Sequence, residues 1–298
     1  MNRMLGLGVI DGGLALGFLS SVLQAIGLAM MKSRGPALPP AQGFGAPRAV
    51  LLWLKDLFWL GGFVLQVVGF VLEFVALADA PISLVTVMSQ GGIAAFVVLA
   101  VVFLRERANL REAAGIAGTL LAMVLLGFSL QSGAAEAGLN STALAAFSAG
   151  SILFTAAPWS TSASIRNGIA AAIGSGIVFG LAGLYTKAIA DIFATHSGVA
   201  IVLDLAASPW LYLMIIANLA GLVLLQNSFH WTRGIIAMPL SSAISNVVPI
   251  LGGMVAFGES LPADHIAAAL RVAAFVLTIV AGFALVKNEP RPTAENPQ

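Results

Sequence analysis

From Pro81 to Leu104 the chain runs for about two dozen residues without one charged side chain, and comparable runs recur along most of its length. A helix rises 1.5 Å per residue, so roughly 20 apolar residues cross the hydrocarbon of a bilayer. Inside lipid every backbone amide and carbonyl needs a partner within the protein, which leaves helices and closed barrels as the workable structures. Uninterrupted apolar runs, without two-residue alternation, exclude the barrel. Only 9% of the residues are charged against 59% hydrophobic, with a mean hydropathy of +0.98. Such a chain cannot cover itself with a solvated surface. The expected class is all-α membrane, with the lipid bilayer as partner and no role for nucleic acid.

The runs fall at 8–31, 57–78, 81–104, 111–130, 142–158, 166–189, 208–229, 234–258 and 266–286. Residues 36–52, with four prolines, read as a loop, and 192–207 as a loop or a short interfacial segment. Splitting 81–104 at Ser89-Gln90-Gly91-Gly92 and 234–258 near Pro249 would give eleven shorter pieces. Charge decides against the split. With about nine spans, all Lys and Arg except Arg3, Lys187 and Arg271 collect on one side, which the positive-inside rule assigns to the cytoplasm. The N-terminus is then outside and the C-terminus cytoplasmic, in a multi-pass protein of the cell (inner or plasma) membrane. Trp53, Trp59, Trp159, Trp210 and Trp231 fall at or near predicted helix ends, where an amphipathic ring settles. The run from Leu14 has no small-residue cleavage signature before Lys32 and is expected to be the first span rather than a removable signal.

The chain also repeats itself. Glu106, in Leu104-Arg105-Glu106-Arg107, and Glu259, in Phe257-Gly258-Glu259-Ser260, close apolar runs 153 residues apart. The same offset takes Glu73 to Gln226, and a shift of two more lays Gly13–Lys32 over Gly168–Lys187. Four helices return a chain to its starting side, so the additional helix 142–158 inverts the second unit. The expected architecture is a polytopic bundle holding an inverted four-helix repeat around a central linking helix. Residues 1–130 form the first repeat, 131–165 the link, 166–287 the second repeat, and 288–298 a disordered tail.

Gly69 to Asn109, GFVLEFVALADAPISLVTVMSQGGIAAFVVLAVVFLRERAN, resembles the drug/metabolite transporter superfamily: an Ala-Pro-x-Ser-Leu-Val helix start leads through small residues to a closing Phe-Leu-x-Glu-Arg. Gly13 to Gly35, GLALGFLSSVLQAIGLAMMKSRG, is similar to the first helix of the NIPA-like magnesium transporter branch. The second half is similar more loosely, through Leu225-Gln226-Asn227 and Phe257-Gly258-Glu259. The resemblance implies a transporter working by alternating access, with a divalent cation such as magnesium as substrate. Each half also resembles a small multidrug resistance subunit. That family's proton-carrying glutamate would fall on Gln24, with Phe179 as the counterpart, and neither releases a proton. Drug–proton antiport of that kind is disfavoured.

Glu73 is the sharpest candidate ligand, for a substrate or a metal ion, because a carboxylate inside a span normally faces a cavity or a partner. It shares a helical face with Gly62, Gln66 and Gly69. Arg271 lies at comparable depth in the last span, and a pair between the two would keep Glu73 ionised. In the broken third helix Ser83, Thr86 and Gln90 share a face; in the eighth, Ser242, Ser245, Asn246, Pro249 and Gly253 do. Pro249 leaves the Ser245 carbonyl without its helical donor. The candidate substrate-binding set is Glu73, Gln66, Gln226, Asn246, Ser242 and Arg271. Asp11 and Asp79 read as solvated caps, and Glu106 and Glu259 as groups that cap the following helix or bond the turn.

Three classes of function follow. A cation transporter uses Glu73 and neutral oxygens, although Arg271 opposes a dication. A carrier of a small organic or amino-acid-like solute uses Glu73 for an ammonium and Arg271 for a carboxylate. A membrane scaffold needs no site at all. An intramembrane enzyme is disfavoured, because His196, His230 and His265 sit at span ends or in loops on separate segments. No cofactor is expected, and the absence of cysteine excludes disulfides and thiolate metal sites.

Overall fold

A computed structural model describes residues 2–41, 46–79, 82–129, 139–156, 165–195, 199–258 and 264–286. The expectations for Glu259 and for the tail 288–298 lie outside these residues. Among the described residues there are helices and turns but no strand. The helices are α1 (Asn2–Arg34), α2 (Ala46–Lys55), α3 (Leu57–Asp79), α4 (Ile82–Val102), α5 (Leu110–Ser129) and α6 (Ser141–Ala156). They continue as α7 (Ile165–Thr195), α8 (Val199–Ala207), α9 (Pro209–Trp231), α10 (Gly234–Ala256) and α11 (His265–Val286), with one 3-10 turn at Gly35–Ala37.

A helix stands at each expected apolar run. By length and composition, six of the described helices can cross a membrane, or seven if α2 and α3 are one bent span. α6, with 16 residues, is short for a crossing. Two segments differ from expectation. Ala46–Lys55 is a helix rather than loop, because Pro47 occupies its first turn, where the missing amide costs nothing. Val199–Ala207 is likewise helical.

The same packing order appears twice. α1 packs along α3 and α4, α7 packs along α9 and α10, and α5 lies along α11. Apolar lipid supplies no hydrophobic drive between spans, so close packing must hold the helices together, and small residues permit it. A Cβ added to Gly62 of α3 would stand 2.6 Å from the Gly27 carbonyl oxygen of α1. One added to Gly69 would stand 2.6 Å from Cγ of Gln24, and one at Gly221 of α9 2.8 Å from the Phe179 ring of α7. α5 and α11 meet where Leu285 fills the space over Gly115. Phe96 of α4 stacks on Phe229 of α9 at 6.0 Å, inside an apolar cluster drawing on both halves of the chain.

The outward faces are apolar. Ile215, Ile216 and Leu219 of α9, and Val272, Val276 and Ile279 of α11, are exposed. Apolar side chains at this density suit lipid contact, and the protein is a multi-pass membrane protein.

Candidate functional site

Helices α1, α4 and α10 enclose a cavity of about 170 Å³. Its wall carries Ser21, Gln24, Ala25 and Leu28 from α1, Gly92 and Ile93 from α4, and Met238, Ser242, Ser245 and Asn246 from α10. The wall folds this way for local reasons. Gly69 has no side chain, so α3 passes close behind Gln24. Gly92 likewise lets α4 approach the Ser21 carbonyl. On α10 the polar residues follow Met238 at intervals of three and four, one face of the helix.

The hydrogen bonds set the chemistry of this wall. Asn246 Nδ2 donates to the Ser242 carbonyl at 2.7 Å, and Ser245 Oγ donates to the same oxygen at 2.9 Å. The Ser245 hydroxyl proton and one of the two Asn246 amide protons are therefore committed to the helix, and each side chain retains oxygen lone pairs. The described lining holds no carboxylate and no cation.

Of the expected site residues, Ser242 and Asn246 meet in this cavity. Gln66 lies where α3 crosses α1, its backbone nitrogen 3.2 Å from where a Gly27 Cβ would stand. Gln226 is buried in α9 with no hydrogen-bond partner for Nε2 among the described residues, beside a void of about 10 Å³ under Gly35, Pro39 and Trp53. Arg271 is buried between α11 and α5, where it donates to the hydroxyl and carbonyl of Ser129, both at 3.4 Å. Glu73 stands in α3, but its side chain, like those of Ser83, Thr86 and Gln90, lies outside the described residues. The expected pairing of Glu73 with Arg271 falls on a side chain outside the described residues. No group of three or more His, Asp or Glu side chains stands together among the described residues. Gln24, which the sequence marks only as a position unable to release a proton, stands in the cavity wall beside Ser242 and Asn246.

One helical turn beyond the cavity lining, past Leu28 of α1 and Met238 of α10, lies a polar seam between the two halves. Lys32 of α1 donates to the carbonyls of Phe229 and Thr232, at 2.5 and 2.8 Å, and lies 3.8 Å from Glu106. Glu106 accepts the amides of Gly234 and Ile235 at the start of α10, at 2.8 and 2.9 Å. The expectation that it caps the following helix is corrected here. α5 is capped instead by Asn109 and Glu112, each side chain accepting the other's backbone amide. Glu106 therefore serves a helix 128 residues away, stabilising its positive end. Arg233 reaches back to Glu112 and to the Arg107 carbonyl, and Asn227 exchanges two hydrogen bonds with the backbone of Ala41. At the same face the Arg34 guanidinium, bonded to Asp56 between α2 and α3, holds that carboxyl below the ordinary carboxylate range.

The comparisons with curated proteins and with solved structures found no match. The match to a known family supports a membrane transporter: residues 10–141 match the family described as Magnesium transporter NIPA, consistent with the NIPA-like branch of the drug/metabolite transporter superfamily.

Proposed function

We propose that the protein carries magnesium across the membrane, with the cavity between α1, α4 and α10 as the site where the ion pauses. The observation that carries this reading is the lining: Gln24, Ser242, Ser245 and Asn246 supply neutral oxygens, and the Ser245 hydroxyl and one Asn246 N–H donate back to the helix. Magnesium sheds its waters reluctantly and usually keeps several. Its bound waters are strong donors, so they suit a wall rich in acceptors, and 170 Å³ leaves room for them. The matched family, described as a magnesium transporter, supports the same cargo. Glu73, four residues beyond Gly69 on α3, would then draw the cation toward the site.

The recurrent packing of α1 with α3 and α4, and of α7 with α9 and α10, supports two repeats related by inversion, with nine spans and α6 as the link. Alternating access then means rocking one half on the other along α5 and α11. The polar seam at Lys32, Glu106 and Asn227 is the closed side, and it must part for release there. The concentration of Lys and Arg at that face supports its cytoplasmic placement, with the N-terminus outside. A carrier of organic zwitterions is less well supported, because Arg271 is held at Ser129 rather than in the cavity wall.

The test is magnesium uptake by proteoliposomes, read with an enclosed magnesium indicator. Uptake above empty vesicles, with Asn246→Ala and Gln24→Ala each slower by roughly tenfold, about 1.4 kcal/mol, is the expected result. Uptake of an amino acid without any magnesium flux would overturn the cargo. Full magnesium uptake by Gln24→Ala, Asn246→Ala and Glu73→Gln alike would overturn the site.

A further inference from the structure

We infer that α2 is a membrane-surface helix that gathers anionic lipid headgroups at Arg48 and Lys55, a contact separate from the transport cavity. α3 begins at Leu57 and its 23 residues are enough to cross the bilayer unaided. α2 has 10 residues, too few to cross, and meets α3 at 92°. With α3 spanning the membrane, α2 therefore runs along its surface.

The elbow is built to hold that angle. Trp53 and Ala49 are buried on the protein side, and Trp53 Nε1 donates to the Pro39 carbonyl at 2.9 Å. Trp53 and Trp59 pack across the bend at 5.7 Å. Asp56 accepts the Trp59 amide at 2.9 Å and is bound in turn by Arg34 at 2.6 Å.

The other side of α2 is uncovered and mixed. Leu51 is 59% exposed, Leu54 43% and, just past the bend, Leu57 83%. Leu51 and Leu54, three residues apart, share one side of the helix. Arg48 and Lys55, seven apart and both exposed, form the adjacent stripe. Leucines this exposed gain by entering the boundary between headgroups and acyl chains, while the basic stems reach sideways to lipid phosphates. The bilayer in which α3 stands is necessarily next to them, and the charge selects its anionic lipids.

The chain has no cysteine, so single cysteines can be introduced cleanly. Full-length protein carrying Leu51→Cys or Leu54→Cys is labelled with bimane and reconstituted in vesicles of phosphatidylcholine, with or without phosphatidylglycerol. Brominated lipid should quench both labels, and brominated phosphatidylglycerol should do so preferentially. Removing both charges, Arg48→Ala with Lys55→Ala, should weaken that preference about fivefold per charge, whereas Arg48→Lys with Lys55→Arg retains it. Gel filtration and circular dichroism verify that each variant is folded. Quenching by an aqueous nickel chelate with none by brominated lipid overturns the inference. Equal quenching by the two brominated lipids before and after charge removal does so too, as does disulfide cross-linking between copies at Leu51→Cys with no lipid quenching. Each of these outcomes leaves magnesium uptake untouched, so failure here is distinct from failure of the transport reading.

Discussion

Arg105 and Gly258, 153 residues apart, both adopt the left-handed backbone, with φ of 54° and 62°. Both stand just past the end of an apolar helix, α4 in one case and α10 in the other. At Arg105 the chain folds back on the end of α4, and the Glu106 amide donates to the Ala100 carbonyl six residues earlier, at 3.0 Å. Among the described residues Arg105 is alone in showing positive φ without being glycine. The repeat seen in the sequence thus extends to a backbone torsion, although the two halves fill the position with different residues.

A side chain in the left-handed region costs roughly 1–2 kcal/mol, and glycine avoids that cost. Gly258→Ala should therefore destabilise the protein by about 1 kcal/mol. Arg105→Gly should be neutral to stabilising by up to about 1 kcal/mol, because relief at φ offsets the entropy that glycine adds to the unfolded chain. Thermal unfolding in detergent of the two single variants checks both, and the expected order is Arg105→Gly at or above the parent, Gly258→Ala below it.

Glu106 makes the second prediction. Glu106→Ala strips the acceptor from the amides of Gly234 and Ile235 and leaves Lys32 without that carboxylate. Hydrogen bonds to a charged group contribute about 1.5–3 kcal/mol each, so a loss of roughly 3 kcal/mol is expected. Glu106→Gln keeps one acceptor oxygen and should lose about half as much. Loss of monodisperse protein on heating, followed by gel filtration, ranks parent, Gln and Ala in that order.

The α1–α3 crossing makes a third. Gly62 faces the Gly27 carbonyl with no room for a methyl, since a Cβ would lie 2.6 Å from that oxygen and 2.9 Å from Met31 Cγ. Backbone does not yield as a flexible side chain does. Gly62→Val should prise α1 from α3 and cost about 2 kcal/mol or more. At Gly150, inside α6 and with no described atom within 4 Å, Ala should be neutral to stabilising by up to about 1 kcal/mol in the same thermal assay.

These residues also show how far the sequence could be read. Helix positions were legible because lipid demands long apolar runs, and the packing order of α1 with α3 and α4 recurs in α7 with α9 and α10. α2 was not legible. Four prolines in 36–52 signalled a loop, yet Pro47 sits in a first helical turn and tolerates it. Nor was the partner of Glu106, since nothing in Leu104-Arg105-Glu106-Arg107 points to amides 128 residues away. Ser242 and Asn246 were found because they share a helical face. Gln24 was not legible as part of the cavity wall, because its place there comes from Gly69 behind it and α10 opposite, and such contacts leave no mark on local spacing.

Gln24 carries the last prediction. It lines the cavity as a neutral amide among neutral residues, so protonation of the described wall cannot change the charge an ion meets there. Gln24→Glu places one ionisable carboxyl at that point. That carboxyl is neutral when protonated and anionic when not. Below the new pKa the variant is uncharged and should take up magnesium at the parent's rate. Above it, the carboxylate attracts the dication and tightens binding, so the apparent KM should fall with rising pH while release slows and kcat declines. The measurement is magnesium uptake by both proteins across pH 5 to 8, compared as a ratio so that titration elsewhere cancels. A ratio that changes with pH places Gln24 in contact with the ion's path; a ratio that stays flat removes it from that path.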